Sequence, residues 1–202
     1  MRATILSLLL LSVFRFFPSF PQHWTQTPNE TIWREKYTNC DKGYTVSLPT
    51  GVVAHAGLPP NPNHGFLVSA KAPDAVAAVT LETERLVGIY ATYDAMEYGS
   101  AQVYLSGELK QVGSVEVLQK HEMEFEGLPA VSVHYRKKTG GAAIETQEIV
   151  VFRNHPKDLG SLFYVIWLRT PSSHYEEDHK LFEQVRDGFH LLPGPEGKCS
   201  ND

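Results

Sequence analysis

LFYVIWLRTPSSHYEEDHKLFEQVRDGF, residues 162–189, holds both periodicities that decide the fold. Its first nine residues, Leu162 to Thr170, are almost continuously apolar and rich in aromatic and β-branched side chains, as in a central strand buried on both faces. The rest changes period. Tyr175, Phe182, Val185 and Phe189 fall on one helical stripe, which Leu181 widens. Ser173 followed by Glu176 reads as a capping box at the helix start, and Pro193 ends anything that continues.

Upstream, the same two periods alternate. GYTVSLPTGVVAH (43–55) reads as a strand, a Pro49-Thr50-Gly51 turn and a second strand. GFLVSA (65–70), AVAAVTLE (75–82) and RLVGIYATY (85–93) are β-compatible. In SAQVYLSGELKQVG (100–113), Ala101, Leu105, Leu109 and Val112 recur at helical spacing, with Ser100 as N-cap and Gly113 as the stop. SVEVLQKHEMEFEG (114–127) alternates cleanly, which predicts one buried and one solvated face, with His121 on the apolar side. AVSVHYRKK (130–138) and ETQEIVVFRN (145–154) flank a hairpin connection at Thr139-Gly140-Gly141-Ala142. Two helices against an antiparallel meander predict an α+β sandwich.

The chain has 202 residues, 42% hydrophobic, which suits one domain with tails. MRATILSLLLLSVFRFFPSFPQ, residues 1–22, begins with a basic Arg2 and an apolar run from Ala3 to Phe14. That run is shorter than the roughly 20 residues of a spanning helix and matches the core of a signal peptide, so export is expected. A clean small-x-small cleavage site is missing, and an uncleaved N-terminal anchor is the other reading of the same segment. Residues 23–41 read as a polar leader carrying a glycosylation sequon at Asn29, residues 42–192 as a single domain and 193–202 as a tail. Without residues 1–22 the chain keeps 16 basic and 23 acidic side chains, a formal charge of −7. An acidic chain without a basic run excludes nucleic acid as the expected partner, and no membrane insertion is expected beyond the N-terminal segment. Two cysteines in an exported chain, Cys40 and Cys199, suggest a disulfide tying the domain's ends, against the alternative of two free surface thiols.

The order of elements resembles the Mog1/PsbP-like superfamily. The resemblance runs over roughly residues 43–192: the opening GYTVSLP, a helix in the first half, a hairpin led in by Gly127-Leu128-Pro129-Ala130, and FYVIWLRTPSSHYEEDHKLFEQVRDGF at the end. Relatives often close the last helix with a Ser-Phe pair, where this chain has Gly188-Phe189. The resemblance implies an α/β/α sandwich and a mostly non-enzymatic repertoire: photosystem accessory subunits, nuclear-transport cofactors and exported bacterial proteins. It brings no shared catalytic set.

The residues themselves offer few complete chemistries. In HAGLPPNPNHGF (55–66), His55 and His64 flank a proline-rich loop, but a closed zinc site needs about four ligands and no cysteine or carboxylate lies in that loop. Glu176 and His179 share a helix face, without the second copy that a di-iron site requires. Ser132 and His134 share a strand face without a local acid to orient the imidazole, and no nucleophile elbow or phosphate loop is present. Neither a metal nor another cofactor is expected. Tyr90, Tyr93 and Tyr98 are side chains of the kind interfaces use, as are those of a core edge. The expected function is an exported, non-catalytic binding or accessory domain, secreted or periplasmic. The alternatives are a metal-binding protein or small hydrolase using the loop histidines, and a structural subunit of an envelope complex.

Overall fold

A computed structural model describes residues 31–57, 64–76, 85–154 and 161–193. Among them the chain forms β1 (Thr31–Arg34), β2 (Lys36–Asn39), β3 (Tyr44–Ser47), β4 (Val53–Ala56), β5 (Gly65–Ser69) and β6 (Leu86–Tyr93). Helix α1 (Ala101–Val112) follows, then β7 (Glu116–Phe125), β8 (Leu128–Thr139), β9 (Ala142–Arg153) and β10 (Leu162–Pro171). A short 3₁₀ turn (Ser172–His174) leads into α2 (Tyr175–Asp187), and β11 (Phe189–Leu191) ends the domain.

β10 lies inside an eight-stranded antiparallel sheet of order β1-β4-β5-β6-β10-β9-β8-β7. Its side chains are buried nearly throughout, because both faces are covered. Leu162, Tyr164, Ile166 and Leu168 join the core under α2 and a small sheet of order β11-β3-β2. Phe163 and Val165 join the second core, under α1. The layers are therefore those of the expected α+β sandwich. At the first core's centre Tyr44 stacks on Phe189 at 5.3 Å, and Tyr164 meets both rings edge-on. Each fully buried apolar side chain of this kind contributes roughly 1.5–3 kcal/mol.

Local signals place several boundaries. Ser100 caps α1 through Val103 N at 3.2 Å, and Gly113, at φ +87°, ends it. The tight β7–β8 and β8–β9 turns use Glu126-Gly127 and Gly140-Gly141, all at positive φ, as two-residue hairpins require.

Four expectations change. Residues 31–39, within the stretch read as a leader, form β1 and β2, with Tyr37 buried among Trp33, Tyr44 and Phe66. The capping box at Ser173 does not form, because the chain makes a 3₁₀ turn first and α2 starts at Tyr175 without a side-chain cap. Phe189 extends the helix stripe only in sequence; it sits in β11, paired to Val46. On β7 the alternation does not bury a face: His121 is exposed, and only Met123 and Phe125 reach the core. β7 is the outermost strand and carries a bulge between Val117 and Gln119, which shifts Val117 to the other face. Of the β-compatible run 75–82, residues 77–82 lie outside the described residues.

Candidate functional site

The segment after β6 is a built loop. Asp94 accepts hydrogen bonds from the backbone N–H of Tyr98 at 2.8 Å and of Gly99 at 3.0 Å. This closes a tight turn with Glu97 at φ +54° and Gly99 at φ +71°, and it fixes Tyr98 against the start of α1. The Tyr98 ring lies edge-on to Tyr104 at 5.4 Å and to Phe163 at 6.3 Å. Gly107 makes room for it: a Cβ there would stand 3.1 Å from the ring. Met96 at the loop and Val103 on α1 remain exposed, at 73% and 51%.

Beneath the helix, Tyr104 and Tyr90 hydrogen-bond through their hydroxyls at 2.9 Å. Tyr135 donates to Glu148 Oε1 at 3.3 Å. Glu148 stands opposite Trp167 on β10, which in turn stands opposite Gly88 on β6. Burial pushes the Glu148 carboxyl up to about 7; the Tyr135 hydrogen bond opposes this and the Glu108 carboxylate adds to it. Burial likewise lifts Tyr104 to about 12 and Tyr90 well above the usual phenol range. The two tyrosines are neutral hydrogen-bonding groups in an aromatic setting, and Glu148 keeps its proton below about pH 7. They suit recognition rather than nucleophilic attack.

The tertiary structure thus brings Tyr90 and Tyr98 together around Tyr104 and separates them from Tyr93. Tyr93 ends β6 with the Lys42 ammonium 3.5 Å from its ring centroid. The histidines do not converge by register. His55 is buried in β4 opposite Leu67, and its Nε2–H donates to the Ala75 carbonyl at 3.0 Å. His64 precedes β5 and uses its carbonyl to accept from Tyr44 Oη and Ala91 N. Burial, with nearby Lys42, holds the His64 imidazole below its usual range. Among the described residues no group of three His, Cys, Asp or Glu side chains is placed to hold a metal ion. Residues 58–63 of the histidine loop, Asn29 and Cys199 lie outside the described residues; Cys40 sits just after β2.

Cross-strand register supplies partners that sequence proximity hides. His134 Nε2 meets Glu145 Oε2 on β9 at 2.7 Å, and Arg136 binds the same carboxylate at 2.8 Å. Burial pushes the Glu145 carboxyl up, but these hydrogen bonds outweigh it and hold it below its ordinary value. The acid missing beside Ser132 and His134 is therefore present. The serine is engaged elsewhere, accepting from Gln147 Nε2 at 2.8 Å, while Tyr175 stacks on the His134 ring at 4.3 Å. A second polar centre joins Arg85, Asp178 and Thr170 beside a groove of about 380 Å³, between the Pro49–Val52 turn and α2. Neither centre carries a local sequence signature; the pairing of β8 with β9 was the one readable clue to the first.

No protein-family model matches the chain, and no curated protein sequence does. Solved structures do. The solution structure of cyanobacterial PsbP (CyanoP) from Synechocystis sp. PCC 6803 matches with a TM-score of 0.51 at 15% identity, over 80% of this chain and 92% of that one. LpqN, described as involved in cell envelope biogenesis of Mycobacterium tuberculosis, matches at 0.47 and 11% identity, over 81% and 91%. A Bacteroides thetaiotaomicron VPI-5482 structure matches at 0.46 and 12%, over 82% of this chain and 50% of that one. The likeness to CyanoP bears out the expected PsbP-like α+β fold, and at this identity it speaks to the fold alone.

Proposed function

We propose that this chain is an extracytoplasmic binding or accessory domain that recognises a protein partner through the Asp94–Ser100 loop and the first turns of α1. The observation that carries this reading is the way Asp94 and Gly107 lock Tyr98 against α1 while Met96 and Val103 stay exposed beside it. Rigid aromatic side chains with exposed apolar neighbours and a polar surround are the composition of an interface centre. Residues 1–22 direct export on this reading, and Cys40 pairs with Cys199 once outside the reducing cytosol. No helix among the described residues is long and apolar enough to cross a membrane.

Co-purification from native membranes tests the proposal. A partner held at fixed stoichiometry by the wild-type chain, and lost on Met96→Asp with Val103→Asp, supports it. Both side chains are exposed, so the variant keeps its fold. Retention of the partner by that variant overturns the assigned surface. Stoichiometric zinc, iron or copper that disappears on His55→Ala with His64→Ala overturns the binding-domain reading in favour of a metal protein.

A further inference from the structure

β7 ends the large sheet, so its outward backbone N–H and C=O groups have no strand partner among the described residues. The strand is ten residues long, contains no proline, and is exposed on both faces from Glu116 to Glu122. Sheet edges are usually shortened, bulged along their length or covered, because an open edge templates another strand. Here the bulge lies at one end, between Val117 and Gln119, and leaves Gln119–Phe125 regular. The opposite edge, β1, has only four residues. We propose that a second copy of this chain is the strand that completes β7, pairing antiparallel to it about a two-fold axis.

The strand's own charges select the register. A two-fold axis perpendicular to the sheet keeps each face on its own side, so residues can meet only others of the same face. Lys120, Glu122 and Glu124 share the α1 face, opposite Val133, Val131 and Pro129 of β8. Gln119, His121, Met123 and Phe125 share the α2 face. An axis at Lys120 would set lysine against lysine. An axis at Glu122 would set glutamate against glutamate, and one at Met123 would oppose Glu122 to Glu124. With the axis at His121, Lys120 of each copy faces Glu122 of the other, twice, and Gln119 faces Met123. Among these four central registers, this one alone opposes no lysine to lysine and no glutamate to glutamate, pairs that destabilise sheets; on the other face it sets His121 against its own copy. Leu118 and Val117, exposed at 39% and 47%, lie at the bulge, outside this regular stretch. Lys120 thereby works against indiscriminate pairing, since a strand with no acid opposite gains nothing from it.

Sedimentation velocity across micromolar to millimolar concentrations tests the proposal. The wild type should show a monomer–dimer equilibrium. Lys120→Glu and Glu122→Lys should each weaken self-association at least tenfold, since each converts both attractive pairs into repulsive ones. An equal mixture of these two variants should form heterodimers, and the doubly exchanged chain should dimerise like the wild type. Both side chains are exposed, so each variant should keep the wild-type melting curve. Amide exchange should slow across Gln119–Met123 as concentration rises. A chain that stays monomeric at the highest concentration overturns the proposal. So does a dimer that survives both single reversals, or β7 amides protected only in complex with a different protein.

Discussion

Asp178 of α2 is paired with Arg85, 93 positions earlier, through Nε at 2.8 Å and through Nη2 to the other carboxylate oxygen. Thr170 of β10 adds a hydroxyl at 2.5 Å, and the aspartate side chain is 1% exposed. This one carboxylate joins the approach to β6, the central strand and the last helix. Replacing one partner of a buried pair strands the other, which costs about 3–5 kcal/mol. Arg85→Ala is therefore expected to lower the unfolding free energy by about that much in urea titrations. Arg85→Met with Asp178→Leu should recover more than half of the loss, since no uncompensated charge remains.

Glu148 gives stability a pH dependence of defined sign. Folded, it keeps its proton to about pH 7, whereas an ordinary glutamate releases it near 4.5. Between those values the folded state binds more protons, so this contribution is full below pH 4.5 and is lost as pH rises through 7. The loss is on the order of 3 kcal/mol at most. Glu148→Gln should flatten the stability profile between pH 5 and 8, measured by denaturant midpoints, and should raise stability at pH 8.

Gly188 is required by proximity. Its carbonyl accepts from Ser47 N at 2.8 Å, and a Cβ on it would stand 2.1 Å from the Ser47 carbonyl oxygen. That obstacle is backbone in β3 and cannot rotate away. Gly188→Ser should cost about 3 kcal/mol or prevent folding altogether, read as the loss of a cooperative thermal transition.

The proposed Cys40–Cys199 bridge would close most of the chain into one loop, worth roughly 4–5 kcal/mol on the chain-entropy account. The mature protein should have a non-reducing mass lower by two hydrogens, and reduction should lower its melting temperature. Two alkylatable thiols in the native protein would remove the bridge.

His55→Ala should destabilise the domain without altering metal content, because the imidazole is buried and its Nε2–H is spent on the Ala75 carbonyl. Elemental analysis beside a thermal melt checks both halves of this expectation.

The fold class was legible because its signals are local. The apolar run of β10, the stripe of α2, and Ser100 and Gly113 at the ends of α1 each depend on residues within a turn or two of one another. Only the tertiary structure decided which strand lies at an edge, and that overrode the alternation of β7 and left His121 in solvent. It also decided which acid meets which base: Glu145 reaches His134 through register, and Asp178 meets Arg85 through layer packing. The tyrosines were visible as residue types, but their grouping was not, since Tyr90 and Tyr104 meet only where α1 crosses the sheet. Periodicity records how each segment divides its own faces. It does not record what the rest of the chain lays over them, and that covering set both the ion pairs and which side chains stay exposed.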